Sequence, residues 1–183
     1  MPEGSEKTLP QNIDAEQSVL GALFLDREAV YKVSRFLRPE DFYLESHRLI
    51  YEAMLSLEEE GRPVDLISVT NRLSEQGVLD KIGGATYVAS LAGLMPTAAH
   101  VEYHARIVEE KALLRSLIQI ATRIAGLGYE GTEDVDRLID EAERMLLELT
   151  ARRSSTFFST LQEVLIQVLK QIEERFRNKC YIG

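Results

Sequence analysis

The stretch PQNIDAEQSVLGALFLD, residues 10–26, decides the fold class because it specifies an amphipathic helix within a few residues. Asp14 is predicted to be the helix N-cap, and Gln17, three residues later, would complete a capping box. The apolar side chains then fall at helical spacing, at Val19, Leu20, Leu23 and Phe24. The same period of 3.6 residues continues along nearly the whole chain, without a convincing two-residue alternation. The sequence therefore predicts an all-α protein.

Proline and glycine divide the chain into a compact bundle of five short helices and a region of longer helices. We predict that residues 13–96 form the globular bundle and that residues 97–151 form a long antiparallel helical hairpin. The other segments are predicted to be a disordered arm at 1–12, a linker at 152–158, a separate amphipathic helix at 159–178 and a tail at 179–183.

The first hairpin helix carries more apolar side chains than one seam requires. The side chains that suffice to face the second helix are Ile107, Leu114, Leu117, Ala121 and Ile124. A surplus lies largely off that line, at Val108, Leu113, Ile118 and Ile120. Either another molecule or the compact bundle, folding back, would cover this surplus, and we favour another molecule. The second helix is predicted to carry a single seam, made of Val135, Leu138, Ile139, Ala142, Met145, Leu146 and Leu149.

The last predicted helix has a full apolar stripe but no core of its own. Its stripe includes Leu161, Val164, Leu165, Val168, Leu169 and Ile172. A single amphipathic helix is marginally stable in water. We therefore expect this helix either to dock into a groove on another subunit or domain, or to fold back onto the hairpin.

Charge and composition limit the classes of function. The 183 residues carry a formal net charge of −9, and no window is strongly basic, which disfavours direct binding of nucleic acid by this chain. The single cysteine, Cys180, suits a reducing compartment. The polar N-terminus lacks the apolar region of a signal peptide, and no apolar run approaches the roughly 20 residues of a membrane span. We expect a cytoplasmic protein that does not enter a membrane.

No motif predicts catalysis, a metal or a cofactor. The sequence contains no G-x-x-x-x-G-K-[S/T] phosphate-binding loop. His100 and His104 are four residues apart on a predicted helix, but they do not form H-E-x-x-H and no third ligand is evident. Gly83 and Gly84 precede a helix, where we interpret them as a turn rather than an anion site. His47 lies beside an apolar stripe and is predicted to be a hydrogen-bonded packing residue.

Several segments in order make the chain resemble the N-terminal domain of the bacterial replicative DNA helicase, the DnaB family. They are PQNIDAEQSVLGALFLD, RPEDFY with His47 and Ile50, PVD at 63–65, GGATY and PTAAHVEYHARIVEEK. The order and spacing match from about residue 10 to residue 150, and the last predicted helix is similar to that family's interdomain linker helix. We therefore interpret the chain as an N-terminal domain plus linker helix, without the ATPase domain.

The resemblance implies a collar domain for a helicase that unwinds DNA at the replication fork. It implies self-association from dimer to hexamer as a trimer of dimers, and binding of the C-terminal domain of primase and of a helicase loader. The linker-helix stripe would dock on the ATPase domain of the neighbouring subunit. That absent domain would hold ATP and Mg²⁺ and make most contacts with DNA. Tyr87, Ile118, Ile124 and Asp14 are, by position, the residues implied in hairpin packing and primase contact.

A second interpretation remains open at this point, namely a stand-alone helical nucleic-acid-binding or adaptor module. Binding of single-stranded DNA with a steep dependence on salt would favour it, because neutralised phosphates release counterions.

Overall fold

A computed structural model of the chain describes residues 8–95, 97–130 and 134–151. Within these ranges all regular secondary structure is helical, which confirms the predicted all-α class. The predicted linker, the amphipathic helix with Leu161, Val164, Leu165, Val168, Leu169 and Ile172, and the tail lie outside the described residues. None of the described helices is long and apolar enough to cross a bilayer.

Seven α-helices and two short 3-10 turns follow one another in the described part of the chain. The helices are α1 Ile13–Leu23, α2 Arg27–Ser34, α3 Glu45–Glu59, α4 Leu66–Glu75, α5 Gly84–Leu94, α6 Val101–Glu130 and α7, residues 135–151. The 3-10 turns are Pro39–Asp41, between α2 and α3, and Asp80–Ile82, between α4 and α5.

The cap of α1 differs from the prediction. Asn12 is the N-cap, and its Oδ1 accepts a hydrogen bond of 3.0 Å from the backbone N–H of Ala15. Asp14 is the second residue of the helix, and its backbone carbonyl accepts a hydrogen bond from Ser18 Oγ. The predicted capping box of Asp14 and Gln17 was wrong because the extended backbone of Asn12 places the helix start at Ile13. Asp14 still adds a negative charge to the positive end of the helix dipole.

Two other helices are capped by aspartate side chains. The Asp26 carboxylate accepts a hydrogen bond from the N–H of Glu28 at 2.9 Å, and the Asp65 carboxylate accepts one from Ser68 at 2.8 Å. Both residues have extended backbones directly before a helix, as an N-cap requires. These short side chains explain why α2 and α4 begin where they do.

The core of the bundle is made from the apolar stripes of all five short helices and the start of α6. Its larger fully buried members are Val19, Leu20, Leu23, Val30, Leu37, Ile50, Tyr51, Met54, Leu57, Leu73 and Leu91. Leu66 is an exception among the apolar residues of α4, since it is exposed. It is the first residue of α4, where the chain has only just entered the helix from its Asp65 cap.

Helix α6 begins at Val101, four residues later than predicted, and continues through Gly126 to Glu130. Thr97 accounts for the late start, because its Oγ1 accepts a hydrogen bond from the N–H of Ala99 and holds a turn. The helix is 30 residues long. The segment between α5 and α6 is therefore a connection rather than the first turn of a hairpin helix.

The chain forms two compact units that divide between Gln119 and Ile120, inside α6. The first unit contains α1 to α5 and the first part of α6. The second contains the end of α6 and α7. The domain boundaries predicted from the sequence, at residues 96 and 151, remain predictions.

In the first unit, the bundle covers part of the apolar surplus of α6. Val101, Ala105, Val108 and Ala112 are buried, and the first three join the bundle core. Of the two alternatives for the apolar surplus, Val108 therefore follows the second: the bundle covers it, and not another molecule. Leu114 and Leu117, predicted to lie in the hairpin seam, are each 45% exposed, and Ile118 is 43% exposed. An enclosed seam is therefore not observed at these three positions of the first unit.

In the second unit, an ion pair joins the two helices, with Arg123 Nη2 and Glu141 Oε1 3.2 Å apart. Of the predicted seam on α7, Met145 is buried and Leu138, Ala142 and Leu149 are half-buried. Val135, Ile139 and Leu146, by contrast, are exposed, together with Leu147. The prediction of one enclosed seam was therefore too simple, because α7 has a covered row and an exposed row of apolar side chains.

Candidate functional site

The four interface residues implied by the resemblance lie in different surroundings. Asp14 is exposed on the first turn of α1, and Tyr87 is half-buried on α5. Ile118 is exposed on α6 within the first unit, whereas Ile124 is half-buried on α6 within the second. Tyr87 is the residue whose surroundings show a built polar site.

The site begins with Glu16, a carboxylate on the apolar side of α1 that is almost completely buried. Its Oε1 accepts a hydrogen bond of 2.7 Å from the N–H of Tyr43, and its Oε2 lies 3.4 Å from the N–H of Leu44. Leu44 is the N-cap of α3 and has no side chain that can cap. The Glu16 carboxylate therefore takes over the role of a cap, from another helix, at the end where the helix dipole favours negative charge.

His47, in the first turn of α3, extends this network. Its Nδ1 lies 2.6 Å from Glu16 Oε2, and its Nε2 lies 2.6 Å from the hydroxyl oxygen of Tyr87. The His47 side chain is fully buried, and its ring is nearly parallel to that of Tyr87, with an angle of 3° between them. This confirms the prediction of a hydrogen-bonded packing residue, and it connects α1, α3 and α5 through three side chains.

The turn before α5 fixes the position of Tyr87. Gly83 has a left-handed backbone with φ +100°, and a Cβ added to it would lie 3.1 Å from Tyr87 Cβ. The N–H of Gly83 donates to Asp80 and that of Gly84 to Leu79, so both amides are used inside the turn. The interpretation of this glycine pair as a turn is therefore confirmed. Glycine is needed at position 83 for its conformation and for the space it leaves to Tyr87.

Arg115 attaches α6 to the same region of the bundle. Its Nη1 donates to the carbonyl oxygen of Pro10 at 2.8 Å, and its Nη2 donates to the carbonyl oxygen of Asp41. The guanidinium is nearly buried and lies 5.6 Å from the centre of the Tyr43 ring. Burial lowers the pKa of Arg115, and attraction to Glu16 and then to Asp41 opposes that shift. Arg115 thus places a positive charge where it balances the buried carboxylates.

Sequence reasoning missed Glu16 and Arg115. For Glu16 a signal was present, since it precedes Val19, Leu20 and Leu23 by three, four and seven residues and so lies on the apolar face of α1. A carboxylate on such a face is buried only if it is paired. For Arg115 no local signal exists, because its two acceptors are backbone carbonyls far away along the chain.

The pair His100 and His104 does not belong to this polar site. His100 lies in the turn before α6 and His104 within the first turn, with its ring edge against Tyr103. Among the described residues, no group of three or more His, Cys, Asp or Glu side chains is arranged to hold a metal ion.

Comparisons with known proteins agree on one family. The family model described as the DnaB-like helicase N terminal domain matches residues 8–110. The chain is 48% identical to the replicative DNA helicase DnaB of Geobacillus stearothermophilus over 92% of its own length and 37% of that relative. It is 44% identical to the replicative DNA helicase DnaC of Bacillus subtilis, over 96% of its length and 38% of that relative.

Two solved structures extend the comparison to the fold. The N-terminal domain of DnaB helicase from Mycobacterium tuberculosis superposes with a TM-score of 0.74 at 42% identity, over 78% of this chain and 99% of that one. A DnaB-like replicative helicase, described with its interactions with primase, has a TM-score of 0.64 at 30% identity. That match covers 77% of this chain and 31% of that one.

The fold and the family match define the chain as a helical N-terminal domain of the replicative-helicase type. It belongs to the DnaB-like helicase N-terminal domain family. The chain spans less than two fifths of the length of the two replicative helicases from Geobacillus and Bacillus.

Proposed function

We propose that this chain is the oligomerisation and primase-binding collar of a replicative DNA helicase and that it carries out no catalysis itself. Family membership supports the helicase part of this proposal, and a related helicase is described with its interactions with primase. The whole protein would be an ATP-dependent DNA helicase of the cytoplasm, with ATP and Mg²⁺ in its ATPase domain.

The observation that carries the proposal is a row of exposed large apolar side chains on α6. Leu117 and Ile118 follow Leu114 by three and four residues, so the three side chains lie on one face of the helix. Each of them is more than 40% exposed. Large contiguous apolar surfaces on soluble proteins mark sites of protein–protein contact. The net charge of −9 favours a protein rather than a nucleic acid as the partner.

Self-association is the second element of the proposal. On α7 three apolar side chains are exposed, namely Val135, Ile139 and Leu146. They are separated by four and by seven residues, so they lie on one face of the helix. A second copy of the hairpin would cover this face, and three such dimers would form the hexameric collar. The segment with Leu161 and Ile172 would dock on the ATPase domain of the neighbouring subunit, and a helicase loader would be a further partner.

Binding of the C-terminal domain of primase by isothermal titration calorimetry tests the proposal. The parent chain is expected to bind, and Ile118→Asp is expected to weaken binding or self-association because it places a charge in the apolar face. Ile67→Asp is the matched control, since Ile67 is an exposed isoleucine on α4. Equal behaviour of the two variants, or a parent chain that neither binds primase nor self-associates, would contradict the proposal.

A further inference from the structure

We propose that one face of α6 is a self-complementary seam, on which α6 of a second copy packs antiparallel, and that Glu110 fixes the register of the two helices. This inference deepens the proposed function and rests on its self-association element. It assigns Leu114 and Leu117 to the second copy. Ile118 lies at the edge of the seam and remains open to the primase contact.

The seam is defined by a heptad pattern within α6. Its eight positions are separated alternately by four and three residues, which is the spacing of a coiled-coil seam. Because α6 is one continuous helix from Val101 to Glu130, helical spacing alone places these positions on one face. The positions are Tyr103, Ile107, Glu110, Leu114, Leu117, Ala121, Ile124 and Gly128.

This face of α6 is open to solvent. Tyr103 is 67% exposed, and Leu114 and Leu117 are each 45% exposed. Glu110 and Ala121 are exposed as well, and only the two isoleucines are half-buried. The side of α6 that the bundle covers is the opposite one, with Val101, Ala105, Val108 and Ala112.

In the second unit, α7 does not cover the seam either. The ion pair between Arg123 and Glu141 joins α7 to α6. Arg123 follows the seam position Ala121 by two residues, so it points to nearly the opposite side of the helix. The apolar face therefore has neither the bundle nor α7 as its cover, and a face of this kind marks a protein contact.

The seam fits a second copy of itself. In a twofold-symmetric pair, each contact between two positions occurs twice, so one pair sets all the others. If Leu114 meets Leu117 of the second copy, the remaining positions match by size, with a large side chain opposite a small one wherever the two differ. The resulting pairs are Leu114 with Leu117, Ile107 with Ile124, Glu110 with Ala121 and Tyr103 with Gly128.

Glu110 is the polar position of the seam. Its neighbour Glu109 is nearly buried and lies 2.9 Å from Arg106, whereas Glu110 is exposed on the open face. Opposite Ala121 its carboxylate still reaches water. A slip by one heptad in one direction places Glu110 against Leu114, which buries a charge without a partner. One polar residue in an apolar seam thus specifies the register at a cost in stability.

Gly128 agrees with the same register. It lies inside α6 with an ordinary helical backbone, and nothing is within 4 Å of the position of an added Cβ. Glycine destabilises a helix relative to alanine, and neither the conformation nor the packing of this chain requires it here. In the proposed pair the missing side chain leaves room for the Tyr103 ring of the second copy. A slip by one heptad in the other direction removes this contact.

Disulfide cross-linking tests the register. A Glu110→Cys variant and an Ala121→Cys variant, each also carrying Cys180→Ser, are mixed and oxidised. The mixture is expected to give a disulfide-linked dimer on a non-reducing gel, because the two positions lie in one layer. Neither variant alone is expected to link, since like positions are about 16 Å apart along the helix axes.

Two controls accompany the cross-link. A mixture of Glu110→Cys with Gly128→Cys, in the same Cys180→Ser background, should not link, because these positions meet only after a slip by one heptad. Glu110→Leu is expected to tighten self-association several-fold in a light-scattering dilution series, since it removes the charge from the seam. Glu102→Leu is the matched control, at an exposed glutamate of α6 outside the seam, and should leave self-association unchanged.

The outcomes separate the seam from the proposed function. Linking of Glu110→Cys alone or with Gly128→Cys overturns the register. So does the absence of any link while light scattering shows a mass above that of one chain, and in both cases the self-association of the proposed function stands. A parent chain with the mass of a monomer overturns the seam and self-association together, whereas calorimetry with primase decides the other part of the proposed function.

Discussion

A Cβ added to Gly21 would lie 2.7 Å from the carbonyl oxygen of Leu91. Helix α1 therefore packs directly on the backbone of α5. Any residue other than glycine at position 21 would force the two helices to move apart. This contact places Glu16 and Tyr87, which lie on these two helices, on either side of His47. The close packing of α1 on α5 is thus a condition for the polar network.

Gly21→Ala is expected to lower the free energy of unfolding by about 1–3 kcal/mol, since the new methyl group must displace backbone. Gly93→Ala, on α5, is the matched control, because nothing lies within 4 Å of the position of its added Cβ. It should be neutral or stabilising by about 0.5–1 kcal/mol, the usual gain of alanine over glycine in a helix. Urea denaturation measures both values, and a Gly21→Ala variant as stable as Gly93→Ala would refute the close contact.

Asn12→Ala is expected to destabilise the chain by about 1 kcal/mol, because the N–H of Ala15 loses its acceptor. Asp14→Ala should cost about 0.5 kcal/mol at most, since it removes only a favourable charge at the helix end. Thermal unfolding of the two variants compares them directly. If Asp14→Ala proved the more harmful, the cap would be at Asp14 after all.

The sequence allowed the all-α class and the five short helices to be predicted, because each depends on neighbours within one turn of helix. It did not distinguish Asn12 from Asp14, since both side chains suit an N-cap and the choice depends on where the backbone enters the helix. The exposure of Leu117 and Ile139 was also not predictable. Apolar spacing shows which side chains share a face, but not whether anything covers that face.

Of the candidate site, the sequence allowed single residues to be interpreted but not the contacts between them. His47 was correctly interpreted as a packing residue from its place beside an apolar stripe. Its partners Glu16 and Tyr87 are 31 and 40 residues away along the chain, so the network exists only once α1, α3 and α5 have packed.

Alkaline pH is expected to destabilise the chain through Tyr51. Burial and, secondarily, the Asp41 carboxylate raise the pKa of Tyr51 above its ordinary value of about 10. As the pH rises above about 10, the unfolded state loses the phenolic proton while the folded state retains it, so the free energy of unfolding falls.

Tyr51→Phe serves as the control for this effect. It should be less stable at neutral pH, because Leu37 loses a hydrogen bond of 3.2 Å from the Tyr51 hydroxyl, yet it should lose less stability between pH 9 and pH 11. Denaturant unfolding at several pH values measures the slope. Identical slopes for the parent and the variant would exclude Tyr51 as the cause.

Arg115→Lys is expected to destabilise the chain by about 1–3 kcal/mol, because a single ammonium group cannot reproduce the two bonds to Pro10 and Asp41. Hydrogen exchange should also become faster around Asn12. Arg123→Lys, at an exposed ion pair with Glu141, should change stability by less than about 0.5 kcal/mol. Equal effects of the two substitutions would show that Arg115 does not attach α6 to the bundle.

The mass of the chain in solution distinguishes a collar from a monomer. Light scattering on the chain alone, and after addition of the C-terminal domain of primase, reports both functions of a collar in one experiment. We expect a mass above the 20.7 kDa of one chain, and a further increase when primase is added. A mass of 20.7 kDa that primase leaves unchanged would contradict it.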